Sequence, residues 1–249
     1  MRYLVHGVVI LALTVVTQLG GIAWALALGY RRGVAGFVAA FLLGYGLLLG
    51  GAQLAAPFLG RVPLPCGGEV LRMQSAFYCV TMRNFTSREM RAVALDAATA
   101  MARDHPGTVT LMLDGGFPLG GLPMLPHLGH GDGQSLDFAF SYADAGGYVA
   151  GQTASPLGYF AFERAGDETC PPAFPTLRWE MGWFRPLLRD LTLEPDRTAV
   201  LVRLLMADRR VGKVFVEPPL AAKLGLQGDK LRFQGCRAAR HDDHIHVEL

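Results

Sequence analysis

Two long apolar runs at the N-terminus constrain the fold of this chain more than any other feature of its sequence. Residues 4–28 and 34–58 contain no Asp, Glu, Lys or Arg and are rich in Leu, Val, Ala and Gly. Each run exceeds the roughly 20 residues that a helix needs to span the hydrocarbon core of a bilayer. The sequence therefore predicts a transmembrane helical hairpin over residues 1–60, which anchors a domain over residues 61–249 to the lipid bilayer.

Two other interpretations of the apolar runs stay open. They could form a buried helix pair in a soluble protein, or the first run could be a signal peptide that is cleaved near Ala25 or Ala27. The connector between the runs contains Arg31 and Arg32, which favour a cytoplasmic turn by the positive-inside rule. That turn would place the domain outside the cytoplasm. We expect Gln18, inside the first run, to make a hydrogen bond between the two membrane helices.

All four cysteines follow the apolar runs, at Cys66, Cys79, Cys170 and Cys236. An even number of cysteines in an extracytoplasmic segment favours two disulfides, for which three connectivities are possible. We expect Cys66–Cys79, which closes a short local loop, together with Cys170–Cys236. Four buried free thiols in a cytoplasmic domain are the alternative.

The sequence after residue 60 mixes helix and strand patterns without strict alternation. Residues 87–106 predict a helix that Ser87 caps, and Asp196 is expected to cap a second helix. Strands are expected over residues 108–116, 135–142, 211–217, 231–235 and 244–249. The pattern predicts the α+β class, with a small antiparallel sheet and flanking helices, joined to the membrane part by a linker over residues 57–65. The net charge of +2 and the lack of a basic stripe give no indication of a nucleic-acid partner.

Five of the seven histidines fall in two short segments, of which the second ends the chain. Together with one carboxylate, the residues of these segments are His127, His130, Asp137, His241, His244 and His246. Imidazole is the commonest zinc ligand, and two His with one carboxylate is a known ligand set of catalytic zinc. On a strand His244 and His246 share one face, and the glycines around His130 favour a turn that brings it towards Asp137. The sequence therefore predicts that the α+β domain carries a zinc site.

The two segments resemble a known group of zinc peptidases. A His-x(6)-Asp pattern formed by His130 and Asp137 precedes a distant His-x-His, as in the group that unites lysostaphin-type endopeptidases, D-alanyl-D-alanine carboxypeptidases and the hedgehog N-domain. Within that group the chain is most similar to the penicillin-insensitive murein endopeptidases, which share Gly133 and the HDDHIHV run of residues 241–247. The resemblance covers roughly residues 108–249 and is patchy in the middle.

The resemblance implies a role for each histidine of the two motifs. It implies that His130, Asp137 and His246 bind Zn²⁺. It also implies that His244 is the general base at the bound water and that His241 is a supporting catalytic histidine. The implied substrate is a peptide or cross-link of peptidoglycan, so the implied location is a bacterial inner membrane, with the catalytic domain in the periplasm. Neither the bond that is cleaved nor the oligomeric state follows from the sequence.

Other residues near the motifs have two possible roles each. Trp179 and Glu180 could line a substrate groove, because aromatic rings and a carboxylate suit a peptide with an amine. Alternatively, Trp179 and Trp183 pack in the core. Asp132 could lie behind the metal ligands or only form a turn, and His127 is expected to be a loop histidine. Asp242 and Asp243 could orient a histidine ring.

Two other classes of function compete with the peptidase. A non-catalytic zinc-binding domain would use the same ligands for stability or partner binding, and it would not need a base beside the metal. A membrane assembly protein would hold its histidines without a metal. Metal content separates the assembly protein from both zinc-binding functions.

Overall fold

The computed structural model of the protein describes residues 1–30, 33–121, 124–125, 128–164 and 170–249. Helices and sheets are mixed without regular alternation, which confirms the α+β class. The α-helices are α1 (Arg2–Thr17), α2 (Gly20–Leu28), α3 (Gly33–Ala55), α4 (Ala76–Val80), α5 (Arg88–Asp104), α6 (Pro195–Ala207) and α7 (Pro218–Lys223). Short 3-10 helices cover Ala56–Leu59, Leu128–Gly131 and Gly182–Leu187.

The strands form one central sheet and two small ones. They are β1 (Arg61–Pro63), β2 (Leu71–Met73), β3 (Phe85–Ser87), β4 (Thr110–Met112), β5 (Ser135–Ala139), β6 (Tyr142–Asp144), β7 (Gly147–Tyr148), β8 (Thr192–Leu193), β9 (Lys213–Phe215), β10 (Leu231–Arg232) and β11 (His244–Glu248). The central sheet has the strand order β10-β9-β11-β5-β4-β2, while β1 pairs with β3 and β6 pairs with both β7 and β8.

The predicted antiparallel sheet is correct only for the centre of this sheet. The pairs β9–β11, β11–β5 and β5–β4 are antiparallel, whereas β10–β9 and β2–β4 at the two edges are parallel. Residues 231–235 were expected to pair antiparallel with the last strand, but β10 lies beside β9. The reason is that α7 forms a crossover between β9 and β10, and such a connection leaves the two strands parallel.

The core lies on the face of the sheet that α5 and α6 cover. Ser87 caps α5 as predicted, because its side chain accepts the Met90 N–H at 3.1 Å. For α6 the prediction is wrong by two residues, since Glu194 is the N-cap and Asp196 lies in the first turn. The last strand contributes Ile245 to the core. His244 and His246 alternate with Ile245 along this strand, and they are buried on the opposite face of the sheet.

The first apolar run does not form the single continuous helix that was expected. Gln18 takes φ 63°, which ends α1, and the Thr17 hydroxyl accepts the Gly20 N–H at 2.8 Å where α2 begins. The Gln18 side chain does not join the helices of the two apolar runs, so that prediction is wrong. It accepts the Leu119 N–H at 3.0 Å and donates to the Leu119 carbonyl, and thus connects the helix break to the domain.

Within the described residues, one helical stretch is long and apolar enough to cross a membrane, and it covers Gly33–Leu59. Its apolar side chains are exposed, with Leu43 at 67% and Leu47 at 68%, which contradicts the buried helix pair. This stretch could be a membrane anchor or a signal sequence. Arg31 and Arg32, on which the orientation depends, lie outside the described residues.

The helices and the domain share a small apolar cluster. Its buried members are Leu19, Ala52, Ala56, Met82 and Phe85. The expected linker over residues 57–65 is instead a 3-10 helix followed by β1, which pairs with β3 of the domain. The domain is therefore packed directly against the helices.

Both expected disulfides are present. Cys66 bonds to Cys79 and Cys170 bonds to Cys236, so the chain has no free thiol. The second bond ties Cys170 to the segment that leads into the terminal histidine motif. Disulfides fit an extracytoplasmic domain, and they exclude the alternative of four free thiols.

Candidate metal centre

The two central strands bring the motifs together. β5 and β11 are antiparallel neighbours, and their register places His246 directly opposite Asp137. His130 reaches the same place from the 3-10 helix Leu128–Gly131, just before β5. Gly133, with φ 73°, makes the turn between that helix and the strand, where a Cβ atom would overlap the Arg61 guanidinium. The expected turn around His130 is thus confirmed.

One nitrogen of each histidine faces the Asp137 carboxylate. His130 Nε2 lies 3.3 Å from Asp137 Oδ1, and His246 Nδ1 lies 2.6 Å from the same oxygen. The ligand atoms of the three residues all lie within 4.8 Å of one another. The side chains are 1%, 0% and 5–6% exposed, so the group is shielded from water.

The opposite nitrogens of both histidines have their own neighbours. The Nδ1–H of His130 donates to the Gly115 carbonyl at 2.8 Å, which leaves the Nε2 lone pair on the side of Asp137. His246 Nε2 lies 3.5 Å from the Glu248 carboxylate. Histidines that bind metals are oriented in this way, by a carbonyl or a carboxylate at the other nitrogen.

This donor set fits a divalent metal. Two imidazoles and one carboxylate form a ligand set of catalytic zinc, in which the ligand atoms of a tetrahedral site are about 3.3 Å apart. The His130–Asp137 separation matches this spacing. The shorter His246–Asp137 contact has the length of a hydrogen bond, so a metal would replace the proton shared there. The buried group of His130, Asp137 and His246 could therefore hold a metal ion.

His244 stands beside this group and is oriented by its neighbour in the chain. Its Nδ1 lies 2.5 Å from Asp243 Oδ1, so the Nδ1–H donates to the carboxylate and Nε2 carries the lone pair. Nε2 lies 3.8 Å from Asp137 Oδ2. Asp243 is itself held by the Phe160 N–H, which donates to Oδ2 at 2.6 Å. Of the two aspartates that were expected to orient a ring, Asp243 does so.

His241 completes the cluster of rings. Its ring centroid lies 4.9 Å from that of His244 and 5.5 Å from that of His246. The buried Glu217 carboxylate accepts a hydrogen bond from the backbone N–H of His241 at 3.2 Å. It also pairs with both terminal nitrogens of Arg178. The rings of the three terminal histidines thus lie close together, and His244 and His246 both face Asp137.

Tyr159 is the main residue of the site that the sequence did not predict. Its hydroxyl donates to Asp137 Oδ2 at 2.6 Å and accepts the Asp114 N–H at 3.1 Å. Burial and the Asp114 and Asp137 carboxylates hold the pKa of Tyr159 well above its ordinary value, so the hydroxyl remains a donor. Asp114 forms a buried ion pair with Arg83. No local pattern marks Tyr159, which lies in a Gly- and Pro-rich stretch.

Trp179 and Glu180 lie in different recesses. Trp179 lines a groove with Tyr159, Phe160 and His244. Glu180 lines a separate recess beside the Cys170–Cys236 disulfide, where it pairs with Arg164 at 3.0 Å. The alternative that Trp179 and Trp183 pack in the core is wrong, because they are 47% and 68% exposed. Of the two predicted substrate residues, the structure brings only Trp179 next to the terminal histidines.

Two further candidates, Asp132 and Asp242, do not join the group. Asp132 accepts the Gln134 N–H at 2.9 Å and forms a turn. Asp242 pairs with Arg240 rather than with a histidine, and burial raises the pKa of Asp242. His127 lies outside the described residues.

The comparisons with known proteins do not assign the chain to a family. No protein-family model matches it, and none of the curated proteins is significantly similar to it. The resemblance to the zinc peptidases therefore depends on the residues of the two histidine motifs alone.

Proposed function

We propose that this protein is a membrane-anchored, zinc-dependent peptidase that hydrolyses amide bonds in peptidoglycan peptides or cross-links. The observation that carries the proposal is the pairing of a buried His-Asp-His group with an adjacent, oriented His244. The His-Asp-His group suits a metal, and His244 suits proton transfer beside that metal. A non-catalytic zinc domain would need the ligands but not the Asp243–His244 pair.

The protein supplies three ligands, and a hydrolytic zinc needs an open fourth position. Held by His130, Asp137 and His246, zinc would lower the pKa of its water to about 7 and polarise the carbonyl of the substrate. His244 accepts the proton of the attacking water at Nε2, because its Nδ1–H is hydrogen-bonded to Asp243. The same His244 nitrogen can then return the proton to the departing amine.

His241 and the aromatic groove serve the substrate. In its protonated form, His241 donates a hydrogen bond to the carbonyl oxygen as negative charge develops there. The groove with Trp179 and Phe160 opens beside His244, so it can hold part of the peptide next to the scissile bond. An anchor in the inner membrane and a periplasmic domain would place this site beside the cell wall.

Metal content and peptidoglycan digestion test the proposal. The full chain, purified in detergent, is expected to contain about one zinc, and His130→Ala, Asp137→Ala and His246→Ala are each expected to lose it. His244→Ala is expected to keep the metal but to lose roughly 10²- to 10⁴-fold in hydrolysis, measured by mass spectrometry of the products released from purified peptidoglycan. The matched control is His105→Ala, at the end of α5, which should behave like the unchanged protein.

Each competing function has its own outcome. Zinc that is retained in all three ligand variants would refute this metal site, whereas absence of zinc from the unchanged chain would leave the membrane assembly protein. Zinc that is bound in the unchanged chain without any release of peptides would support the non-catalytic zinc domain. Loss of zinc in the His244 variant would make that residue a ligand rather than a base.

A further inference from the structure

We propose that Tyr159 is a positioning residue. Its hydroxyl restricts Asp137 to binding the metal through one oxygen, and it prevents His244 from bonding to the Asp137 carboxylate. The inference rests on the proposed metal site and assigns a task to a residue outside the ligand set. Tyr159 contacts both Asp137 and the ring of His244.

The two oxygens of Asp137 have different neighbours. Oδ1 faces His130 and His246, at 3.3 and 2.6 Å. Oδ2 accepts the Tyr159 hydroxyl at 2.6 Å, and the Asp114 N–H holds that hydroxyl oxygen from the other side at 3.1 Å. A carboxylate oxygen that accepts a buried phenol hydrogen is a poor second metal ligand. The hydroxyl therefore directs metal binding to Oδ1.

The same hydrogen bond affects His244. Its Nε2 lies 3.8 Å from Asp137 Oδ2. The Tyr159 hydrogen already occupies that oxygen. The Tyr159 ring also stands edge-on to the His244 ring, with centroids 4.9 Å apart and an angle of 82° between the planes. Tyr159 thus separates the base from the ligand while both remain beside the metal.

The backbone of Phe160, the next residue after Tyr159, orients Asp243. Phe160 has φ 71°, an unfavourable conformation for a residue with a large side chain. In this conformation its N–H donates to Asp243 Oδ2 at 2.6 Å. Tyr159 therefore orients Asp137, a proposed metal ligand, and Phe160 orients Asp243, the carboxylate that bonds to His244.

Zinc affinity and a spectroscopic probe test this role in the full chain. Tyr159→Phe removes the hydroxyl and keeps the ring. We expect the zinc Kd, measured by competition with a chelator, to rise about 10- to 100-fold, as for other residues that orient a metal ligand. After replacement of zinc by cobalt(II), we expect a changed visible spectrum, because Asp137 gains the freedom to bind through both oxygens.

Two other buried tyrosines provide matched controls. The Tyr142 hydroxyl is buried and has no hydrogen-bond partner in the described part of the chain, so Tyr142→Phe should leave the Kd and the spectrum unchanged. The Tyr78 hydroxyl donates to the Leu157 carbonyl rather than to a proposed ligand. Tyr78→Phe should lower thermal stability without changing the spectrum, which separates a structural effect from a metal-site effect.

The proposal fails if folded Tyr159→Phe binds zinc with the Kd of the unchanged protein and gives the same cobalt spectrum. If that variant does not fold, the zinc-loaded unchanged protein supplies the test, and a crystal structure in which both Asp137 oxygens bind the metal overturns the proposal. Absence of zinc from the unchanged chain would instead refute the metal site itself, and the role of Tyr159 with it.

Discussion

Gln18 connects the break between two N-terminal helices to the domain. Its substitution should increase local unfolding of the segment around Leu119. Its side chain makes two hydrogen bonds to the backbone of Leu119. Gln18→Met keeps the length of the side chain and removes both bonds. Because Leu119 is only partly buried, water can replace some of the lost interaction. We therefore expect a cost of about 1–3 kcal/mol in all, which corresponds to roughly 5- to 150-fold more frequent local opening.

Hydrogen exchange followed by mass spectrometry measures this opening directly. Peptides that cover residues 115–121 should exchange faster in Gln18→Met, in the full chain in detergent. The effect should extend to the loop of His130, since the Gly121 N–H contacts the Gly131 carbonyl at 3.5 Å. Gln53→Met is the matched control, because Gln53 lies on α3 and makes no side-chain hydrogen bond within the described part of the chain. Equal exchange in the two variants would refute the reasoning.

Three further predictions follow from single contacts. Asp243→Asn should keep zinc but lower peptide hydrolysis by roughly 10²-fold or more, because His244 loses the acceptor that orients it, and normal turnover would exclude this role. Replacing Cys170 and Cys236 by serine should lower the free energy of unfolding by about 4 kcal/mol, the loop-entropy value for 66 residues, as measured by urea denaturation. Ser87→Ala should cost about 1 kcal/mol through loss of the α5 cap in the same assay, and an unchanged midpoint would contradict the capping bond.

The two segments of the candidate metal site could be predicted because strands and turns have local rules, whereas the choice of His130, Asp137 and His246 as ligands came from the resemblance. A period of two places His244 and His246 on one face, and glycines around His130 indicate a turn that redirects the chain. The Ser87 cap and the apolar face of α5 follow equally from local spacing. The two disulfides were chosen among three pairings on loop length, and the structure confirms that choice.

The sequence alone determined the α+β class, through the order of its helix and strand patterns, and it indicated the two histidine segments as sources of metal ligands, through the spacing within each segment. The tertiary structure decided what no short segment encodes. Asp137 meets His246 across 109 residues, Gln18 meets Leu119 across 101, and Tyr159 meets Asp137 across 22. Parallel pairing at the sheet edges and the separation of Trp179 from Glu180 are also long-range outcomes. Such contacts leave no periodic pattern in the chain, since they are selected by packing of the whole domain rather than by the conformational preference of neighbouring residues.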